Sequence, residues 1–288
     1  MKYINDFLEY LCVIKKHSEN TINGYKMDLL EYLDFNSNIL NISRDIVNSY
    51  MKYLYDKNIS KSSISRKLSS LRSFYNYLYK NNIVSKNYFE NVKNPKKDSG
   101  LPKLVKEIDI DKMFEVPDTR RPLGQRNLLI IRMLYATGIR VSELVNIKLN
   151  DIDINDRTIR ILGKGNKERI VVFGNNTREI LILYLGDGRY KLNSMDNDYL
   201  FLNKDGNKLS DRYVRKIIDD IIIKASIQAH VSPHMLRHTF ATGMLNNGAD
   251  LVSVKELLGH ESLNTTSIYT HVNDDKIKEI YNKAHPRA

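Results

Sequence analysis

The chain has 288 residues with 45 Lys plus Arg against 34 Asp plus Glu, a net charge of +11 and a pI near 9.4, a length that suits two compact domains better than one. Hydrophobic residues at 42% and charged residues at 27% exclude a broadly disordered chain. The lone Cys12 excludes a disulfide framework within the chain, and no uninterrupted apolar run reaches about 18 residues, so no membrane span is expected and a reducing cytoplasm is the expected location.

The N-terminus, MKYINDFLEYLCVIKK, has acids among its apolar residues and no small-residue cleavage pattern, which argues against a signal peptide. Ile4, Phe7, Leu8, Leu11 and Ile14 recur at helical spacing, and Ile22, Tyr25, Leu29, Tyr32 and Leu33 repeat the pattern. A third helix is expected over roughly Ile46 to Tyr55. A fourth lies in a stretch that holds no acid between Asp56 and Glu90 yet carries seven cations. At about 100° per residue, Ile64, Leu68, Leu71, Tyr75 and Leu78 share one narrow face of it. The opposite face carries Ser62, Arg66, Ser69 and Ser73, with Lys61, Lys67 and Arg72 on the flanks. Small hydroxyls with basic rims let a helix approach phosphates closely, so Lys61, Ser62, Arg66, Lys67, Ser69 and Arg72 are candidate DNA ligands. A solvated face in a Lys-rich protein explains the same pattern. A/T-biased coding also produces Lys, Asn, Ile and Tyr, so total charge says less than its distribution: residues 1–97 hold 16 basic and 9 acidic side chains, a net +7.

The polar, Pro- and Gly-punctuated run Asn94-Pro95-Lys96-Lys97-Asp98-Ser99-Gly100-Leu101-Pro102-Lys103 breaks any helix and reads as a linker. The expected organisation is therefore a helical domain over 1–93, a linker over 94–103 and a mixed domain over 104–288. In the second part, Leu128 to Tyr135 is an apolar helix stopped by Thr137-Gly138, and a short helix begins near Val141. Arg157–Leu162 and Glu168–Phe173 are β-rich runs around Gly163-Lys164-Gly165-Asn166, a hairpin signature. Helices are expected around 177–185, 211–225, 233–246 and 251–258, and a tail helix over 274–283.

In Ser232-Pro233-His234-Met235-Leu236-Arg237-His238 the serine suits an N-cap and the proline the first helical position. His234 and Arg237 then share one face of the first turn, where the helix dipole favours an anion, so a phosphate site and an ordinary capped surface helix both fit. His234 and His238 also have the i, i+4 spacing of a metal pair, but Pro233 cuts His230 off and no Cys or Glu stands near as a third ligand; no metal is expected. Arg140 opens a helix in TGIRVSEL with Glu143 three residues on, which alone is a common local ion pair. His260 follows a helix-ending Gly259, and Tyr269 is one of 18 tyrosines.

Order and spacing change the weight of these pieces. TGIRVSEL with Arg140, GKGNKER with Lys164, HMLRH with His234 and Arg237, LLGH with His260 and SIYTH with Tyr269 resemble, in sequence, the tyrosine recombinase (phage integrase) family. The N-terminal half resembles the family's core-binding domain through Thr21-Ile22-x-x-Tyr25 and Ser65-Arg66-Lys67-Leu68. The likeness is strongest to Xer-type recombinases, because the core-binding helices start almost at residue 1 and leave no room for an arm-site domain.

The resemblance implies a mainly α fold with a small β-sheet in the second domain: a helical core-binding bundle and a mixed α/β catalytic domain closing as a clamp around DNA. It implies that Tyr269 attacks a DNA phosphate, forming a 3′-phosphotyrosyl link and releasing a 5′-hydroxyl. His234 would assist deprotonation, Lys164 would protonate the leaving oxygen, Arg140 and Arg237 would clamp the non-bridging oxygens, His260 would bond the phosphate, and Glu143 would support Arg140. Neither a metal, a cofactor nor ATP is required. The implied partners are double-stranded DNA and a tetramer, of identical chains or with a related recombinase, on two duplexes, with a DNA translocase as an accessory; the tail would dock on a neighbouring protomer. Chromosome dimer resolution is the expected role, against integration or excision of a mobile element, a non-catalytic DNA-binding protein of the same fold, a metal-dependent nuclease, and a relaxing topoisomerase.

Overall fold

Three serines start three of the first four helices. Ser18, Ser43 and Ser60 each accept a hydrogen bond from the third backbone N–H of the helix that follows, at 3.4, 3.3 and 3.2 Å. The helices are α1 (Lys2–Val13), α2 (Glu19–Phe35), α3 (Arg44–Asp56) and α4 (Lys61–Lys80). This structure, a computed structural model, describes residues 1–96, 104–163, 167–259 and 271–287, residues 271–277 by backbone only. The chain divides into two units, Met1–Gly100 and Leu101–Ala288.

In the first unit the expected α4 stripe is the core: Ile64, Leu68, Leu71, Tyr75 and Leu78 are all fully buried, against Phe7, Leu11, Tyr32, Tyr50 and Leu54. Edge-to-face rings tie the layers together, Tyr32 on Tyr50 at 4.8 Å and Phe7 on Phe74 at 5.3 Å. A polar seam joins α2 to α4. Asp28, 1% exposed, accepts from Arg66 Nη1 at 2.5 Å, Ser70 Oγ at 2.8 Å and Lys67 Nζ at 3.5 Å, and Lys67 also pairs with Glu31.

That seam corrects one expected DNA ligand. Lys67 is 5% exposed and neutralised by two carboxylates, so it holds α2 to α4 rather than meeting a phosphate. Lys61, Ser62, Arg66 and Ser69 are exposed along the same helix. Arg72 is half-buried and donates to the Phe89 and Val92 carbonyls at 3.3 and 3.0 Å, fastening the segment that leaves the bundle.

The second unit comprises α5 (Glu107–Glu115), α6 (Pro122–Thr137), α7 (Val141–Leu144), β1 (Ile152–Asp153), β2 (Thr158–Leu162), β3 (Glu168–Val172), α8 (Asn175–Leu183), a widened turn at Tyr184–Gly188, α9 (Arg189–Leu192), α10 (Asp211–Lys224), α11 (Pro233–Asn246), α12 (Leu251–Leu258) and α13 (His271–Ala284). The strands form an antiparallel sheet in the order β1-β2-β3, with Thr158 opposite Val172 and Leu162 opposite Glu168. Helix α6 is apolar almost all round because it is surrounded: Leu128 to Ala136 is buried except at Arg132. It stops at Gly138 in a left-handed conformation, φ +60°, where a β-carbon would stand 2.5 Å from the Phe240 ring.

The tail folds onto its own unit. Tyr281 and Ala284 of α13 are buried with Phe240 and Met244 of α11, Val254, Leu257 and Leu258 of α12, and Val172 of β3. In this single chain Tyr281, in the tail expected to reach a neighbouring protomer, is therefore covered from within, because α11 and α12 present a matching apolar face.

Candidate active site

The loop between α6 and α7, the N-terminus of α11 and the C-terminus of α12 converge. Helix α11 begins as its sequence dictates: Pro233 is its first residue and Ser232 accepts from Met235 N at 3.3 Å. This start puts His234 and Arg237 beside Arg140, and the three line one cavity of about 430 Å³. His234 is exposed and Arg140 is 40% exposed, so both reach solvent at the cavity mouth.

Arg237 is 6% exposed and anchored from behind. Its Nη1 donates to Gly138 O and its Nη2 to Leu258 O, both at 2.6 Å, so the cap of α6 and the end of α12 fix the guanidinium plane. Burial, with Arg140 and Arg169 close by, pulls its pKa down to about 10 against the pull of Glu143, and it stays charged at neutral pH.

Arg140 is held by Glu143 twice. The Arg140 backbone N–H donates to Glu143 Oε2 and Arg140 Nη1 to Oε1, both at 2.8 Å. Glu143 is 6% exposed, and its second partner lies outside the local TGIRVSEL motif: Arg169 of β3 donates Nη1 to Oε1 at 3.0 Å and Nη2 to Oε2 at 2.7 Å. Burial pushes the Glu143 carboxyl up, but the bonds and charge of Arg169, joined by those of Arg140, outweigh it and hold the pKa below the ordinary glutamate value. The alternation of β3 held the signal, since Arg169 falls on the same buried face as Val171, where a charge requires a partner.

The cavity is also lined by Asp211, Arg215 and Asp219, four residues apart on one face of α10, and by His230. Lys164, His260 and Tyr269 lie outside the described residues. Among the described residues no group of three or more His, Cys, Asp or Glu stands where a metal ion could be held, and His238 does not line the cavity. Two guanidiniums and an imidazole facing one cavity suit a phosphodiester: planar donors for its oxygens and a titratable group for proton transfer.

Residues 103–276 match the Phage integrase family and residues 4–82 match the Phage integrase N-terminal SAM-like domain. The chain belongs to the tyrosine recombinase (phage integrase) family. It is of the Xer type, a site-specific recombinase that breaks and rejoins DNA. It is 46% identical to tyrosine recombinase XerC of Oceanobacillus iheyensis, over 99% of this chain and 96% of that protein, and 39% identical to tyrosine recombinase XerC of Bacillus subtilis, over 99% and 97%. Among solved structures it is similar to the XerH site-specific recombinase bound to its difH substrate in a pre-cleavage complex, with 27% identity and a TM-score of 0.72 over 96% of this chain and 93% of that one. With the XerA recombinase it shares 31% identity and a TM-score of 0.52 over the full length of both chains. No described helix is long and apolar enough to cross a membrane.

Proposed function

We propose that this recombinase cleaves DNA with Tyr269 as nucleophile and acts on paired chromosomal sites, resolving chromosome dimers. The phenol oxygen attacks the scissile phosphorus, a 3′-phosphotyrosyl bond forms, the bond to the 5′-oxygen breaks, and the leaving oxygen takes a proton from Lys164. A partner strand's 5′-hydroxyl reverses the exchange, so one phosphoester replaces another and no external energy is consumed. With a phenol pKa of about 10, ionisation in advance at pH 7 costs about 4 kcal/mol, which His234 offsets by accepting the proton as the bond forms. Arg140 and Arg237 stabilise charge on the non-bridging oxygens, and His260 bonds the same phosphate.

The observation that carries the reading is the convergence of Arg140, His234 and Arg237 on one cavity, with Arg140 held by Glu143 and Arg237 anchored to the Gly138 and Leu258 carbonyls. In sequence-independent contacts, Lys61, Ser62, Arg66 and Ser69 meet phosphates, with Arg72 at the edge of the same helix. The working assembly is a tetramer on two duplexes, of identical chains or with a related recombinase, and a DNA translocase is its accessory. The chemistry is tested on a nicked suicide duplex carrying the recombination site, which traps the covalent step. Wild-type protein forms a covalent protein–DNA adduct, and Tyr269→Phe forms none; an adduct that survives the substitution overturns the assignment.

A further inference from the structure

We propose that Arg169 is a positioning residue for strand cleavage, acting through Glu143 on Arg140; the inference rests on the phosphate-clamp reading above. Arg169 is 5% exposed and is not one of the described residues that line the cavity, so it is placed to act through its neighbours. Its guanidinium instead joins three segments. Two donors grip Glu143 at 3.0 and 2.7 Å, and the third, Nε, donates to Leu257 O at 3.0 Å in the last turn of α12. A β-carbon on Gly259 would stand 3.1 Å from Arg169 Cδ, and one on Gly163, at the base of the β2–β3 turn, would stand 3.6 Å from Arg169 Nη1. In sequence, Gly163 precedes Lys164 and Gly259 precedes His260, the two residues assigned to chemistry.

Charge counting gives the pair its purpose. Glu143 accepts four donors, two from Arg140 and two from Arg169. With Arg140 as its only partner, the carboxylate would cancel the charge that the phosphate needs. Shared between two guanidiniums it leaves the trio at net +1, so Arg140 is oriented by Glu143 without being neutralised by it. An apolar pair of the same volume would pack as well, which makes stability a weak reason for burying these ions. Position and field are the stronger reason, and both are spent on the transition state, where negative charge accumulates on the phosphorane oxygens.

The test compares Arg169→Met and Arg169→Lys with wild type in single-turnover cleavage of suicide duplexes. One duplex has an ordinary scissile phosphate; the other has a methylphosphonate, whose methyl group replaces a charged oxygen and lessens the demand for a guanidinium. On phosphate, Arg169→Met lowers the cleavage rate on the order of 100-fold, the scale of a misplaced catalytic group, with the DNA dissociation constant unchanged. Arg169→Lys, which keeps the charge and one bond, recovers part of that rate. On methylphosphonate the loss shrinks to less than about tenfold, because the clamp has less charge to stabilise. Equal losses on both duplexes, or an unchanged rate on phosphate, overturn the proposal. If Arg169→Met does not fold, the Lys variant carries the same two-substrate comparison. Wild-type protein that forms no adduct overturns the cleavage reading itself, so the two failures are distinguishable.

Discussion

At the scale of single residues, Arg237 shows how far a side chain's surroundings decide its use. The helix start at Ser232-Pro233 is a local signal, and it placed Arg237 on the anion-facing turn beside His234. Its two carbonyl partners are not local: Gly138 lies 99 residues away and Leu258 lies 21 away, so no sequence pattern announces them. A lysine carries the charge but lacks the planar fork, and cannot serve two carbonyls and a phosphate at once. Arg237→Lys therefore lowers the rate of adduct formation on the order of 100- to 1000-fold, the usual loss when a transition-state donor is removed. Affinity for uncleaved DNA, measured by gel-shift titration, falls far less, because one buried cation supplies little of the sequence-independent attraction. Equal losses of affinity and rate would contradict the assignment of Arg237 to the transition state.

At the scale of elements, whatever repeats within one turn or one hairpin was legible. The α4 stripe, the β2–β3 pairing, the Ser232 cap of α11 and the glycine stops of α6 and α12 stand where the pattern put them. Elements that owe their shape to distant contacts were not: β1 is two residues long, α5 and α9 are short and flanked by polar segments, and Lys67 faces carboxylates of another helix. The end of α13 is a further case. His285, 6% exposed, stacks on Tyr281 at 4.8 Å between centroids, stands 5.5 Å from Tyr135 and 5.7 Å from Phe240, and accepts from Arg287 N at 3.0 Å. Burial, aided by the Arg287 charge, pulls the imidazole pKa down from 6.5 to about 4. The unfolded chain then binds a proton that the folded one refuses, so the stability present above pH 6.5 is lost as pH falls toward 4. Between pH 7 and 5 this group alone removes about 2 kcal/mol. His285→Phe keeps a ring in the stack and removes the titration, so its melting temperature drops less than that of wild type between those pH values. Parallel acid-side curves for the two proteins would show that His285 is not the group responsible.

At the scale of the whole molecule, the net charge of +11 is not a count of DNA contacts. Arg140 and the buried pair Glu143 and Arg169 bind one another, Arg72 spends its donors on backbone carbonyls, and Lys67 is consumed inside the first bundle. On α4 the solvent-exposed cations are Lys61 at its start, Arg66 one turn and a half along, which also pairs with Asp28, and Lys80 in its last turn; the first two are those proposed to meet phosphates. Salt separates the two kinds, since each neutralised phosphate adds close to one unit to the slope of log affinity against log salt concentration. Lys61→Ala lowers that slope by about one. Lys67→Met differs: the slope stays at the wild-type value, while stability falls by about 1–3 kcal/mol as Asp28 and Glu31 lose a buried donor. Both are read from binding titrations over a salt series together with melting curves on the same preparations. A reduced slope with an unchanged melting temperature for Lys67→Met would return that residue to the DNA-facing set and undo the division of charge drawn from the bundle's polar seam.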